Sequence, residues 1–196
     1  MRIPLLLQRS ALLCACLWVA PLLAAGSESP LPGDSVYQLD VPLTDQNGVT
    51  QPFPALRGKV RIISMFYANC PYVCPMIINT IKQTENSLTE AQRAQTGVLL
   101  ISLDPERDTP EELKKVETTR HLDGARWMLV RTPAGDVRKL AALLGIQYRA
   151  LENRDFNHST AIILLDADGR IRATSDHIGE PDPEFEAALK ALLPAH

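Results

Sequence analysis

Residues 60–75 read VRIISMFYANCPYVCP, and two kinds of structure meet in them. Residues 60–67 form a short apolar run of strand length, which reads as a buried strand. Residues 75–88 place Met76, Ile77, Ile78, Ile81 and Leu88 at roughly helical spacing. Between the two lies Asn69-Cys70-Pro71-Tyr72-Val73-Cys74-Pro75. Each cysteine precedes a proline, which biases both towards extended backbone. Pro75 suits the first position of the helix, so Cys74 is expected at its cap. There the positive end of the helix dipole favours a thiolate.

Outward from this junction, strands and helices alternate. Residues 41–53 carry Asn47-Gly48 between two strand-like runs, a type I′ hairpin signal. Gly97 precedes a second buried strand, VLLISL. Thr109-Pro110-Glu111-Glu112 reads as a capped helix start with a capping box, and the helix runs to about His121. The strand RWMLV follows, then a helix over residues 136–144 stopped by Gly145. TAIILLD and RIRATS flank Ala167-Asp168-Gly169 as a hairpin, and Asp182-Pro183-Glu184 caps a last helix to about Leu193. This order suits an α/β sandwich of the thioredoxin type with an added N-terminal β-hairpin.

The chain has 196 residues, 45% hydrophobic and 22% charged, which excludes a disordered chain, a collagen-like repeat and a multi-span membrane protein. Its formal charge of −3, without a basic cluster, argues against a nucleic-acid binder. Residues 1–26 read as a signal peptide or a membrane anchor. Arg2 and Arg9 precede an apolar run ending in Ala24, Ala25 and Gly26, but Pro21 interrupts it and it falls short of about 20 spanning residues. Residues 27–35 are a Pro/Gly linker, and residues 36–196 form the domain. The expected location is the periplasm, with residues 11–25 as the anchor to the inner membrane if the leader is retained.

Cys14 and Cys16 lie in the leader, which leaves Cys70 and Cys74 to the domain. A bridge closing so short a loop removes little chain entropy, so the pair is expected to do chemistry rather than stabilise the fold. Thiolates select Cu(I), zinc or iron–sulfur clusters. A site of four cysteines is excluded once the leader is gone, whereas copper is satisfied by two thiolates and one imidazole. Of the four histidines, His196 is terminal, His121 ends a helix and His177 lies in the loop SDHIGE. His158, in FNHST directly before the apolar run AIILL, stands at a strand mouth. Either it completes the site or it is a hydrogen-bonded loop histidine. Asp104-Pro105-Glu106-Arg107-Asp108 follows the strand VLLISL. Its acids suit outer partners of a metal site or local pairing in a helix-entry loop. Met65 and Met76 are thioether candidates whose bland reading is packing, and Tyr72 is read as a shield for the sulfurs.

These motifs resemble the SCO/SenC family of copper-binding, thioredoxin-fold assembly proteins. The resemblance is carried by FYANCPYVCP (residues 66–75), SLDPERDTP (residues 102–110) and His158-Ser159 before AIILLDADG, in family order, over residues 36–194. It implies a copper site, Cu(I) or Cu(II), made by Cys70, Cys74 and His158. It also implies delivery to the CuA centre in the copper-bearing subunit of cytochrome c oxidase, or thiol reduction of that centre. Two positions depart from the family pattern: Tyr72 stands where an aspartate is common, and Asn69 where a histidine is. The reading is therefore a monomeric, redox-gated copper metallochaperone. Its rivals are a thiol–disulfide oxidoreductase using the Cys70–Cys74 pair without metal, and a peroxide-reducing thiol enzyme on the same fold.

Overall fold

The computed structural model describes residues 29–151 and 155–194. The expected leader, with Cys14 and Cys16, and the terminal His196 lie outside the described residues. A seven-stranded sheet forms the centre, in the order β2-β1-β5-β4-β3-β8-β9. Its members are β1 (Pro42–Asp45), β2 (Thr50–Pro52), β3 (Val60–Phe66), β4 (Thr96–Ser102), β5 (Trp127–Arg131), β8 (Ile162–Leu165) and β9 (Ile171–Ser175). The strands β3, β4 and β5 are parallel, whereas β1 and β8 join antiparallel on either side of them. A separate pair, β6 (Tyr148–Ala150) and β7 (Phe156–His158), makes a small antiparallel hairpin.

The central strands read as unbroken apolar runs because both faces of the sheet are covered. Ile62 and Phe66 of β3, Val98 and Leu100 of β4, and Ile162 and Leu164 of β8 share one core. That core takes in α1 (Val73–Asn86), α3 (Pro110–Thr119) and α5 (Pro183–Ala191) through Ile77, Ile81, Leu113, Phe185 and Leu189. The alternate residues Ile63, Met65, Leu99, Ile101, Ile163 and Leu165 pack in the second core with Val137 and Leu140 of α4 (Ala134–Leu143) and with Tyr37 and Phe53. Met65 is thus a packing residue.

Local chemistry sets the element ends, with three departures from expectation. In the β1–β2 hairpin, Gly48 has φ +79 but Asn47 does not have positive φ. The Gly48 N–H donates to Asp45 O at 3.0 Å and the Asp45 N–H to Val49 O at 2.9 Å. That is a three-residue loop with a left-handed glycine rather than a type I′ turn. At α3, Thr109 Oγ1 accepts from the Glu112 N–H, but the Glu112 carboxylate turns to Lys115 at 2.5 Å, so the capping box is not closed. The helix α1 begins at Val73 with Tyr72 as its cap, which moves Cys74 and Pro75 into the first turn. Elsewhere the ends fall as expected. Gly145, φ +69, stops α4, with the Ile146 N–H donating to Ala141 O at 2.8 Å, and Asp182 caps α5.

The short helix α2 (Glu90–Ala94), the hairpin β6–β7 and the 3-10 turns Val36–Gln38 and Phe53–Leu56 are additions to the sequence reading. The turn between β8 and β9 holds the first of these 3-10 turns. The Val36 N–H donates to Gly169 O at 2.9 Å, and Ser35 Oγ to Asp168 O at 2.6 Å. Gly169 has φ +82, and a Cβ there would lie 2.4 Å from Tyr37 Cδ2; Gly48 has φ +79 with nothing within 4 Å of a Cβ. Gly48→Ala should therefore cost only the left-handed backbone, about 1–2 kcal/mol. Gly169→Ala should add a clash worth about 1–3 kcal/mol. Equilibrium urea unfolding of the two variants measures the difference, and equal losses would contradict it.

Candidate metal centre

Because β3 and β4 run parallel and in register from Val60 and Thr96 to Phe66 and Ser102, the segments that follow them leave the sheet side by side. One segment carries the cysteines, the other Asp104 to Asp108. Asp108 is 1% exposed. Its carboxylate accepts from the Ala68 N–H at 3.1 and 3.2 Å and from Ser102 Oγ at 2.6 Å, tying the cysteine segment to the neighbouring strand end. Burial pushes this carboxyl up to about 6, against the Ser102 and Ala68 hydrogen bonds. Asp104 instead pairs with Arg107. Asp104 thus shows the local pairing expected of a helix-entry loop, while Asp108 braces the backbone at Ala68 against Ser102.

Cys70 and Cys74 are both buried and both free thiols. The Cys74 N–H donates to Cys70 Sγ at 3.4 Å. Cys70 is lowered to about 5, first by the Cys74 thiol hydrogen bond and then by the backbone N–H groups of Cys74 and Tyr72 and the Tyr67 hydroxyl, all outweighing burial. Cys74 is pushed up, because it donates to Cys70 and is buried. The arrangement is one thiolate cradled by donors at the first turn of a helix, with a protonated thiol behind it. Tyr72 does not shield the sulfurs with its ring: the residue is 78% exposed. Met76, in the same turn, is 43% exposed, with its Cε beside Gly179.

His158 ends β7, opposite Tyr148 in register, and is half-buried. Its Nδ1 lies 3.1 Å from Ser159 O. A carbonyl only accepts, so Nδ1 carries a proton; in the neutral ring this leaves the lone pair on Nε2, the tautomer a ligating imidazole needs. The imidazole meets Tyr67 edge-on, with ring centroids 6.3 Å apart, and Tyr67 packs on Phe156 at 5.2 Å. Burial and its bond to Cys70 push the Tyr67 hydroxyl up to about 12. The two sulfurs are therefore together, and His158 stands one aromatic ring away. Among the described residues no three His, Cys, Asp or Glu side chains form a closed metal-holding group. His121 sits beyond the end of α3 with φ +51, and His177 is exposed in its loop. Sequence reasoning missed Tyr67, although it adjoins the cysteine segment. Its signal was a hydroxyl-bearing aromatic at the end of a buried strand.

A dithiol at a strand-to-helix junction, at the parallel end of a sheet with helices on both faces, defines a thioredoxin-like thiol protein. A profile of the SCO1/SenC family matches residues 33–193, and the chain belongs to that family. It is 28% identical over 188 residues to the "Putative copper-binding protein" of Stutzerimonas stutzeri, covering 89% of this chain and 88% of that one. The structure of Bradyrhizobium japonicum ScoI with copper bound is similar at a TM-score of 0.63 and 27% identity, over 79% of this chain and 98% of that one. BsSco, described as a member of the Sco family of cytochrome c oxidase assembly proteins with a disulfide switch, matches at a TM-score of 0.66 over 79% of this chain and 91% of that one. At 19% identity that likeness shows the fold alone.

The cradle has a pH signature. Unfolding returns Cys70 to about 9, so between about 5 and 9 the unfolded chain binds more protons than the folded one. Stability contributed by Cys70 is fully present above about 9 and lost as pH falls through about 5. The stability of the reduced protein relative to Cys70→Ser should therefore rise with pH across that window. Alkylation by iodoacetamide should modify Cys70 with an apparent pKa near 5 and spare Cys74 in the folded protein. A profile with its midpoint near 8.5 would contradict the cradle.

Proposed function

We propose that this chain is an exported copper metallochaperone that takes copper through Cys70, Cys74 and His158, serving the assembly of respiratory copper sites. The observation that carries the reading is the prepared donor set. The Cys74 N–H meets Cys70 Sγ at the first turn of α1, which puts the two sulfurs of the pair together, and His158 stands one aromatic ring away on the adjoining hairpin. Soft sulfur suits Cu(I), and an imidazole widens the set to Cu(II). The copper named in the Stutzerimonas stutzeri relative and bound in Bradyrhizobium japonicum ScoI supports the choice of metal.

Copper is the cargo in this reading, and the cysteine pair is its gate. Uptake displaces the Cys74 thiol proton, so affinity rises with pH. Joining Cys70 and Cys74 in a disulfide removes both sulfur ligands together, and an oxidised domain has little left with which to hold copper. The client is the copper-bearing subunit of cytochrome c oxidase at its CuA centre, which the family resemblance supports. The location is the periplasm, with the leader cleaved or kept as an inner-membrane anchor, and the chain acts as a monomer.

The same thiols favour a second reading, a thiol–disulfide oxidoreductase. The Cys70 thiolate would attack a client disulfide, releasing one client thiolate and leaving a mixed disulfide. Cys74 would then displace the second client sulfur, so that the client gains two electrons and the Cys70–Cys74 disulfide forms. A single variant separates the two readings. His158→Ala should keep the fold and the disulfide, since a half-exposed strand-end side chain contributes little stability. It should weaken copper retention, most for Cu(II), by about tenfold or more, and leave reduction of insulin disulfides unchanged. Copper retention unchanged while reductase activity collapses would replace the chaperone reading with the enzyme one.

A further inference from the structure

The cysteines and His158 arrive on different pieces of the fold. Cys70 and Cys74 follow β3 of the main sheet, whereas His158 rides on the β6–β7 hairpin, which forms no ladder with that sheet. Within the hairpin, the Ser159 N–H donates to Gln147 O at 2.8 Å and the Gln147 N–H to Ser159 Oγ at 3.0 Å. These bonds close the hairpin on itself. Two three-residue strands are marginal without packing, so the placement of His158 depends on what the hairpin leans against.

It leans on a row of rings. Tyr148 packs on Phe156 at 6.2 Å, Phe156 on Tyr67 at 5.2 Å, and Tyr67 meets His158 edge-on at 6.3 Å with an interplanar angle of 80°. Tyr67 is the member of this row that belongs to the cysteine side, directly after β3, and it is 4% exposed. Its ring faces Phe156 on one side and the His158 imidazole on the other. One side chain of the cysteine segment therefore touches both the imidazole and the strand that carries it.

We propose that Tyr67 is a positioning residue that fixes the His158 hairpin against the cysteine segment, its ring packed against both Phe156 and the imidazole. The ring does the holding across the gap, so Tyr67→Phe should keep the hairpin in place and Tyr67→Leu should release it. The copper consequence rests on the reading of His158 as the third ligand; the hairpin consequence does not.

The first measurement is amide hydrogen exchange in the reduced, copper-free protein. Tyr67→Leu should lower protection at Arg149 and Asn157, the bonded pair of the ladder, about tenfold, the loss expected from two ring contacts. Protection in the main sheet should stay unchanged, and Tyr67→Phe should retain the hairpin protection. The second is electron paramagnetic resonance after loading with Cu(II). Tyr67→Leu should lose the nitrogen coupling and retain Cu(II) about tenfold to a hundredfold less tightly, and Tyr67→Phe should keep the coupling. Unchanged exchange at the hairpin in Tyr67→Leu would overturn the proposal, whatever copper does. No nitrogen coupling in the unmodified protein would overturn His158 as a ligand, while exchange still decides the role of Tyr67. If Tyr67→Leu does not fold, nuclear Overhauser contacts between the Tyr67 ring and the His158 imidazole in the unmodified protein decide, and their absence refutes the proposal.

Discussion

The Asp108 carboxylate, buried between two strand ends, holds the cysteine segment to the sheet. Parallel pairing of β3 and β4 brings Phe66 and Ser102 level, and Asp108 spans the gap by accepting from Ala68 on one side and Ser102 on the other. A carboxylate is costly to bury without such bonds, so the site pays in stability for a fixed loop. With Ala68 fixed, Cys70 and the first turn of α1 have little freedom. The Cys74 N–H then points at Cys70 Sγ, at 3.4 Å. The lowered Cys70 pKa follows first from the Cys74 thiol that this placement brings against it and then from the backbone N–H groups, and the same contact keeps Cys74 protonated.

Most of the sheet could be read from the sequence because its signals are local. Runs such as VRIISMF and VLLISL are apolar on both faces, and the structure buries both faces. Gly145 and Asp182 end and begin helices through their own backbone or side chain, which needs no tertiary knowledge. Where reading failed, a competing partner decided the outcome. Glu112 had Lys115 within reach and left the capping box open, and Asn47 avoided the left-handed region because Gly48 alone was enough to turn the chain. The Thr89 and Gln92 capping box of α2 was legible but overlooked. The β6–β7 hairpin gave almost no signal: three-residue strands with half-exposed side chains carry no periodicity.

The candidate site was legible in its chemistry and opaque in its geometry. Cys70 and Cys74 announce themselves by type and spacing, and His158 by its place before a buried strand. That Cys74 lies inside the helix rather than at its cap, that Tyr72 faces solvent, and that Tyr67 packs edge-on against the imidazole all depend on packing between elements distant in sequence. Such contacts have no one-dimensional signature. The departures at Asn69 and Tyr72 lie on the exposed side of the loop, away from the buried sulfurs, so they bear on what meets the site from outside.

The central claim is that two sulfurs of one short segment and one imidazole of a separate hairpin converge on the same copper ion. X-ray absorption at the copper edge, on the reduced chain loaded anaerobically with one equivalent of copper, tests it most directly. The account predicts a shell of two sulfur scatterers and one imidazole nitrogen. A shell with no sulfur, or one built only of nitrogen and oxygen, would contradict it.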